Sequence, residues 1–153
     1  MSKAYFMMGG PAAGKSSTIK KLFSDVEVLD CDQFKITHPL YNPKAILPEV
    51  HSWSSLECSR AFFAKVSTGE DFVLDSTGTN AEKMVAWINT ARAAGYEIHL
   101  VYVTCSLSEA LKRNAARERN VPEDVVRDKY STIAVSFEIV SKYADHVEVI
   151  NNE

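Results

Sequence analysis

Residues 4–16 read AYFMMGGPAAGKS, an apolar run followed at once by a glycine-rich loop, a lysine and a serine. Residues 9–16 match the pattern GxxxxGK followed by Ser or Thr, which is typical of phosphate-binding loops. Glycines let the backbone turn its N–H groups toward a phosphate, and the helix that follows adds the positive end of its dipole. The match predicts a site for a nucleoside triphosphate between a strand and a helix.

The residue types of this loop predict separate roles in binding ATP and Mg²⁺. Lys15 is expected to reach the β- and γ-phosphates, and the Ser16 hydroxyl is expected to bind Mg²⁺. The other loop residues predicted to contact ATP are Gly9, Gly10, Pro11, Ala12, Ala13, Gly14 and Ser17.

Short apolar runs alternate along the chain with longer segments of helical spacing. This order is typical of parallel strands joined by crossover helices. The predicted strands cover residues 4–8, 26–30, 72–75, 98–104 and 146–150, and the predicted helices cover residues 14–24, 51–67, 81–94, 107–119 and 122–143. We therefore expect an α/β chain with the three-layer P-loop NTPase fold, in which a five-stranded parallel sheet is flanked by helices and a short helical lid.

Length and composition limit the classes of protein to consider. The 153 residues, 46% of them hydrophobic, are enough for one core, so residues 1–153 are expected to form a single domain. The formal charge of -3 argues against a generally basic coat for nucleic acid. No apolar run is long enough for a membrane span and no cleavage-type segment follows the first apolar stretch, which predicts a cytoplasmic protein.

The three cysteines, Cys31, Cys58 and Cys105, are widely spaced and form no CxxC pair. An odd number without clustering argues against a disulfide framework or a structural zinc site. We expect all three to be reduced thiols, with Cys105 in the core because it ends an apolar run.

Three uses of a phosphate loop compete: a GTPase switch, a motor ATPase and a kinase. The chain has no Asn-Lys-x-Asp motif for reading guanine, and its length leaves no room for the extra helical domain of ring motors. A small kinase remains, and a kinase acting on a hydroxyl benefits from a carboxylate near the acceptor.

Carboxylates follow two of the predicted strands. Asp30 and Asp32 stand at the end of the second, and if the strand continues they share a side by its period of two. Asp30 is then expected to serve Mg²⁺ through water, while Asp32 faces the acceptor. Lys35 adds a cation for the acceptor or a phosphate, and Asp75 and Thr77 after the third strand are expected to bind the acceptor.

Positive charge is concentrated between Lys112 and Arg119, which hold four cations against the single anion Glu118. Arg113 and Arg117 are four residues apart and would lie on one helical face, where they could stabilise the charge of a transferring phosphoryl group. The alternative is a solvated helix face. We expect residues of about 112–122 to form a lid, ended by Val121-Pro122.

The run Asp30-Cys31-Asp32-Gln33-Phe34-Lys35, followed by His38-Pro39, resembles the zeta toxins, which are P-loop kinases. The resemblance implies that Asp32 is the catalytic base and that Lys35 is the basic residue that follows it. Asp75-Ser76-Thr77-Gly78 is similar to the zeta pattern of an acid, a small residue, Thr and Gly. Glu57 is the candidate for an acceptor-binding acid of that group.

Residues 112–117, KRNAAR, together with Val121-Pro122 and Tyr130, resemble the lid of phage polynucleotide kinase. In that kinase two arginines hold the ATP phosphates, which implies this role for Arg113 and Arg117. The two resemblances leave the acceptor open between a nucleic-acid 5′ end or nucleotide-like molecule, which we favour slightly, and a nucleotide sugar. A non-catalytic ATP-binding regulatory module is the alternative from another class.

Overall fold

The computed structural model describes residues 1–117 and 120–153. These residues form five strands, six α-helices and one short 3₁₀ helix. In chain order they are β1 (Lys3–Met8), α1 (Lys15–Leu22), β2 (Glu27–Asp30), α2 (Cys31–Thr37), α3 (Pro48–Thr68), β3 (Phe72–Asp75), α4 (Ala81–Ala93), β4 (Glu97–Thr104), α5 (Leu107–Ala115), α6 (Glu123–Val140), the 3₁₀ helix (Ser141–Tyr143) and β5 (His146–Asn151).

The strands form one five-stranded parallel sheet, as the sequence predicts, and their order in it is β2-β3-β1-β4-β5. Asp30 pairs with Asp75, and Met8 pairs with Tyr102, so the carboxyl ends of the strands lie along one edge. β1 is the central strand of the sheet. The chain first leaves β1 for β2 and β3 on one side, and then crosses to β4 and β5 on the other side. Ligands of open α/β sheets bind outside the carboxyl ends at such a point.

Alternate side chains of β1 serve the two faces of the sheet. Phe6 packs on one face with Phe62 of α3 and Trp87 of α4, where the rings of Phe62 and Trp87 stack at 4.2 Å. Met7 packs on the other face with Ile19 of α1. Both faces are therefore covered, and the predicted three-layer architecture is confirmed.

The helix predictions match the structure to within a few residues at most ends and differ from it more in two places. Residues 31–37, for which no helix is expected, form α2, whose N-terminus is capped by Asp30. The helix expected over 107–119 ends at Ala115, because the buried Asn114 side chain exchanges two hydrogen bonds with the backbone of Val121. The predicted lid segment includes Glu118 and Arg119, which lie outside the described residues.

The prediction of three reduced thiols is wrong for two of them. Cys31 at the start of α2 and Cys58 in α3 form a disulfide, with their Cα atoms 5.2 Å apart. The sequence separation of 27 residues hides this proximity, which arises because α2 packs on α3. Cys105 is free and buried, as expected.

No helix in the part of the chain that the structure describes combines the length and the apolar character that crossing a bilayer requires.

Replacing Asp145 with Asn is expected to reduce the acid sensitivity of the fold. Asp145 Oδ2 accepts a hydrogen bond of 2.8 Å from the Ile98 amide, and Asp145 Oδ1 lies 3.3 Å from Arg92. The Ile98 amide first and Arg92 second hold the pKa of Asp145 below its usual value. This carboxylate therefore stabilises the fold above the pKa of the unfolded chain, and its contribution is lost as the pH falls through the lower, folded pKa.

Urea unfolding at pH 7 and at pH 3 measures this effect. The difference in free energy of unfolding between the two pH values should be smaller for Asp145→Asn than for wild type. Asp128→Asn, at an exposed position, serves as the control. An equal difference in wild type and Asp145→Asn would contradict the assignment.

Candidate functional site

The phosphate loop, residues 9–16, leaves no room for side chains at its glycines. A Cβ on Gly9 would lie 2.9 Å from the Val103 carbonyl oxygen, and one on Gly10 would lie 2.5 Å from the Tyr130 ring. Gly14 has a φ of +90°, and a Cβ there would overlap the Asn152 side chain. The backbone itself therefore forms the surface that a phosphate would meet.

Three successive carbonyl groups of the loop accept hydrogen bonds from side chains that lie outside the loop. Tyr130 donates to the Pro11 carbonyl at 2.9 Å, Arg113 to that of Ala12 at 3.2 Å, and Asn152 to that of Ala13 at 3.0 Å. In a trans peptide the N–H points away from the carbonyl, so the N–H groups of Ala12 and Gly14 face the opposite side. This arrangement of N–H groups suits an anion, and the loop residues fit the triphosphate of ATP.

Lys15 connects the loop to β3. Its Nζ lies 2.8 Å from Asp75 Oδ1 and donates to the Ser76 carbonyl at 3.1 Å. The side chains of Lys15 and Asp75 are only 16% and 13% exposed. Asp75 Oδ1 is buried, and apart from this ion pair it has no hydrogen-bond partner of good geometry among the described residues. The lysine is thus held beside the loop by a carboxylate that a phosphate would replace.

Asp30 lies next to Asp75 at the carboxyl edge of the sheet. Burial first and the charge of Asp75 second raise the pKa of Asp30 above its usual value. Neighbouring carboxylates that repel each other favour a divalent cation, and carboxylate and hydroxyl oxygens are ligands that Mg²⁺ prefers. Asp30 and Ser16 line the same cavity and therefore fit this ion.

Asp32 does not continue the strand of Asp30, so the expected period of two is wrong. Asp32 lies in the first turn of α2, and its backbone N–H donates to Asp30 Oδ1 at 3.0 Å. Its own side chain is 78% exposed, with Lys35 Nζ 3.4 Å from Oδ1. The cap thus fixes the start of α2 without using the Asp32 carboxylate, which is exposed beside Lys35.

These side chains meet in one cavity of about 610 Å³, which we call the acceptor cavity. The predicted site residues that line it are Lys15, Ser16, Asp30, Asp32, Lys35, Asp75 and Thr77. Further lining residues are His51, Ser54, Lys83, Trp87 and Lys129. Lys83 and Lys129 come from α4 and α6, two helices that carry no phosphate motif, and no signal in the sequence points to these lysines.

Other predicted residues lie outside this cavity as far as the described residues define it. Arg113 binds the loop from the side, pairing with Glu109 at 3.0 Å and donating to the Asn152 carbonyl at 2.6 Å. Arg117 is exposed beyond the end of α5, so the two arginines do not share a helical face. Ser17 is exposed on α1, and Glu57 pairs with Arg60 at 2.9 Å.

Comparison with known sequences gives one family and no curated relative. The AAA_33 family model, described as an AAA domain, matches residues 5–139. No curated protein matches the chain significantly.

Several solved structures share the fold. This chain is 18% identical to a chain in a structure of AvrRxo1-ORF1:-ORF2 with ATP. The match covers 93% of this chain and 50% of the other chain, with a TM-score of 0.72. This chain is 13% identical to a chain of the PezAT toxin–antitoxin system of Streptococcus pneumoniae. The match covers 99% of this chain and 68% of the other chain, with a TM-score of 0.74. This chain is also 13% identical to a chain of a Pnkp1/Rnl/Hen1 RNA repair complex. That match covers 90% of this chain and 45% of the other chain, with a TM-score of 0.75.

The chain thus spans about half the length of the AvrRxo1-ORF1 and RNA repair chains that it matches. Identities this low show a common fold and no more.

Proposed function

The chain belongs to the AAA_33 family of P-loop kinases, and from this premise we propose that it transfers the γ-phosphoryl group of ATP to a hydroxyl of a nucleotide-like acceptor. The observation that carries the proposal is the acceptor cavity, which is lined by Lys15 and Ser16 of the phosphate loop and also by Asp32 of α2. Donor and acceptor groups would then meet within one enclosure, as phosphoryl transfer requires.

The donor side is assigned to the phosphate loop. Lys15 would exchange its ion pair with Asp75 for the β- and γ-phosphates, and the loop N–H groups would hold the remaining oxygens. Ser16 and Asp30 are the residues that would hold Mg²⁺, which neutralises phosphate charge when bound. The role proposed for Arg113 and Arg117, holding the charge of the transferred group, requires both side chains to move from the positions they occupy outside the cavity.

The acceptor side is assigned to α2. Asp32 takes the proton of the acceptor hydroxyl while that oxygen bonds to the γ-phosphorus. The bond between the γ-phosphorus and its bridging oxygen breaks, and ADP leaves with the electron pair. Lys35, 3.4 Å from Asp32, orients this carboxylate, and the Thr77 hydroxyl lies in the same cavity as a contact for the acceptor.

The lining of the cavity supports an acceptor that is itself anionic and of nucleotide size. Lys35, Lys83 and Lys129 approach it from three different helices, and Trp87 supplies an apolar surface. A volume of about 610 Å³ suits a nucleotide or the end of a strand rather than a long duplex.

A panel of acceptors with labelled ATP tests the proposal. We expect label on 5′-hydroxyl oligonucleotides or nucleotides with wild type and none with Lys15→Met. The matched control is Lys20→Met, an exposed lysine of α1, which should label the acceptor as wild type does. If only a nucleotide sugar is labelled, the acceptor is a nucleotide sugar and not a nucleotide or a 5′ end. If ATP binds but no acceptor is labelled, the result favours a regulatory module.

A further inference from the structure

Two histidines and a glutamate, Glu97, His99 and His146, form a cluster on one face of the sheet, which we call the His–Glu cluster. Glu97 and His99 are two residues apart on β4 and share a face, and His99 pairs directly with His146 of β5. Glu97 Oε1 lies 2.5 Å from His99 Nε2 and 3.4 Å from His146 Nε2. One nitrogen or oxygen atom from each residue lies within 4.8 Å of the other two.

The cluster lies away from the phosphate loop. His99 pairs with Tyr5 of β1, and the loop begins four residues later at Gly9. At about 3.3 Å per strand residue, the two sites are about 13 Å apart along the sheet. The cluster is therefore at the opposite end of the strands from the proposed kinase site, and that reaction makes no use of it.

Its donor atoms have the character of a transition-metal site. Two imidazole nitrogens with one carboxylate oxygen favour zinc and related ions over Mg²⁺. In a tetrahedral zinc site with bonds of about 2.0–2.1 Å, neighbouring ligand atoms are about 3.4 Å apart. His146 and Glu97 already have this spacing, and His99 must move away from Glu97 by about 0.9 Å to reach it.

The surroundings allow an ion to enter and to complete its coordination. His146 is 60% exposed, whereas His99 is packed against the Tyr5 ring at 5.0 Å. A cavity of about 260 Å³ adjoins the cluster and is also lined by Glu148, which lies two residues beyond His146 on β5. Water or Glu148 can therefore take the fourth position.

We propose that Glu97, His99 and His146 bind one Zn²⁺-type ion that links β5 to β4. The His99 and His146 rings stack at 4.6 Å, so the two side chains must rotate from this stack to point one nitrogen each at a common ion. Since β5 is an edge strand paired only with β4 among the described strands, the ion would fasten it to the sheet. Binding should therefore raise the unfolding temperature.

Zinc binding to the metal-free full chain tests this proposal by two readouts. A titration monitored by competition with a coloured chelator is expected to show one Zn²⁺ per chain and a higher unfolding temperature. His146→Asn should weaken binding by about tenfold or more and remove the thermal shift. His38→Asn, at a histidine outside the cluster, is the matched control and should bind as wild type does.

Cobalt provides a second measurement that does not depend on stability. Co²⁺ bound to wild type should show the visible absorption of tetrahedral coordination, and Co²⁺ with His146→Asn should not. The proposal is overturned if wild type binds no Zn²⁺, or if His146→Asn binds it as tightly as wild type. A folding defect in one variant leaves the test intact, because Glu97→Gln should lose the same binding.

Discussion

Asp32→Asn is expected to slow phosphoryl transfer about 10²- to 10⁴-fold, the range that a general base contributes, while ATP affinity stays nearly unchanged. Asp32 lines the acceptor cavity from α2, whereas the ATP contacts are assigned to the phosphate loop. The hydrogen bond that starts α2 uses the backbone N–H of Asp32, so the amide side chain leaves this cap in place. Single-turnover transfer from labelled ATP, with a separate ATP titration, measures the two quantities.

Two further variants define what this result means. Asp25→Asn, an exposed acid before β2, should transfer at the wild-type rate. Asp30→Asn should raise the Mg²⁺ concentration needed for half-maximal transfer, because Asp30 is assigned to the metal. Full transfer by Asp32→Asn would remove Asp32 as the base, and a loss confined to Asp30→Asn would give that role to Asp30.

Reducing the disulfide between Cys31 and Cys58 is expected to lower the free energy of unfolding by about 3–4 kcal/mol. The bond closes a loop of 27 residues, and opening it returns that freedom to the unfolded chain. The described residues of α2 include none that is buried, so this helix relies on the cross-link and on its packing against α3. Urea unfolding with and without a phosphine reductant measures the change.

Matched cysteine variants isolate the bond. Cys58→Ser should unfold at a lower urea concentration and respond little to reductant, whereas Cys105→Ser should keep the full response to it. Thiol titration of the denatured chain should find one free thiol before reduction and three after. An unchanged unfolding midpoint in a wild-type sample that shows three free thiols would contradict the prediction.

The strands and most helices can be predicted from the sequence because local signals agree with the packing. β3 is uniformly apolar and ends at Asp75, and Asn80 caps α4 through a bond to the Lys83 amide. α2 escapes prediction because it has seven residues and no buried side chain to give a periodic pattern. The end of α5 depends on a contact between Asn114 and Val121 that spacing does not reveal.

The donor half of the site is more visible in the sequence than the acceptor half. The phosphate loop is one continuous segment, so its residues are adjacent in the sequence as well as in space. Lys83 and Lys129 reach the acceptor cavity only because α4 and α6 pack over the same face of the sheet. The His–Glu cluster likewise depends on the register that places His146 beside His99, which the chain order leaves undefined.

The hydrogen bond from the Asn152 side chain to the Ala13 carbonyl joins residues that are 139 positions apart in the chain. On a ribosome the glycine-rich segment emerges before β5, and the side chain that supports it emerges only after β5 has been synthesised. A nascent chain therefore exposes this segment without the Asn152 contact while the intervening residues are synthesised. Under the proposed function, the loop is expected to reach its full affinity for ATP only after β5 has joined the sheet and brought Asn152 to the loop.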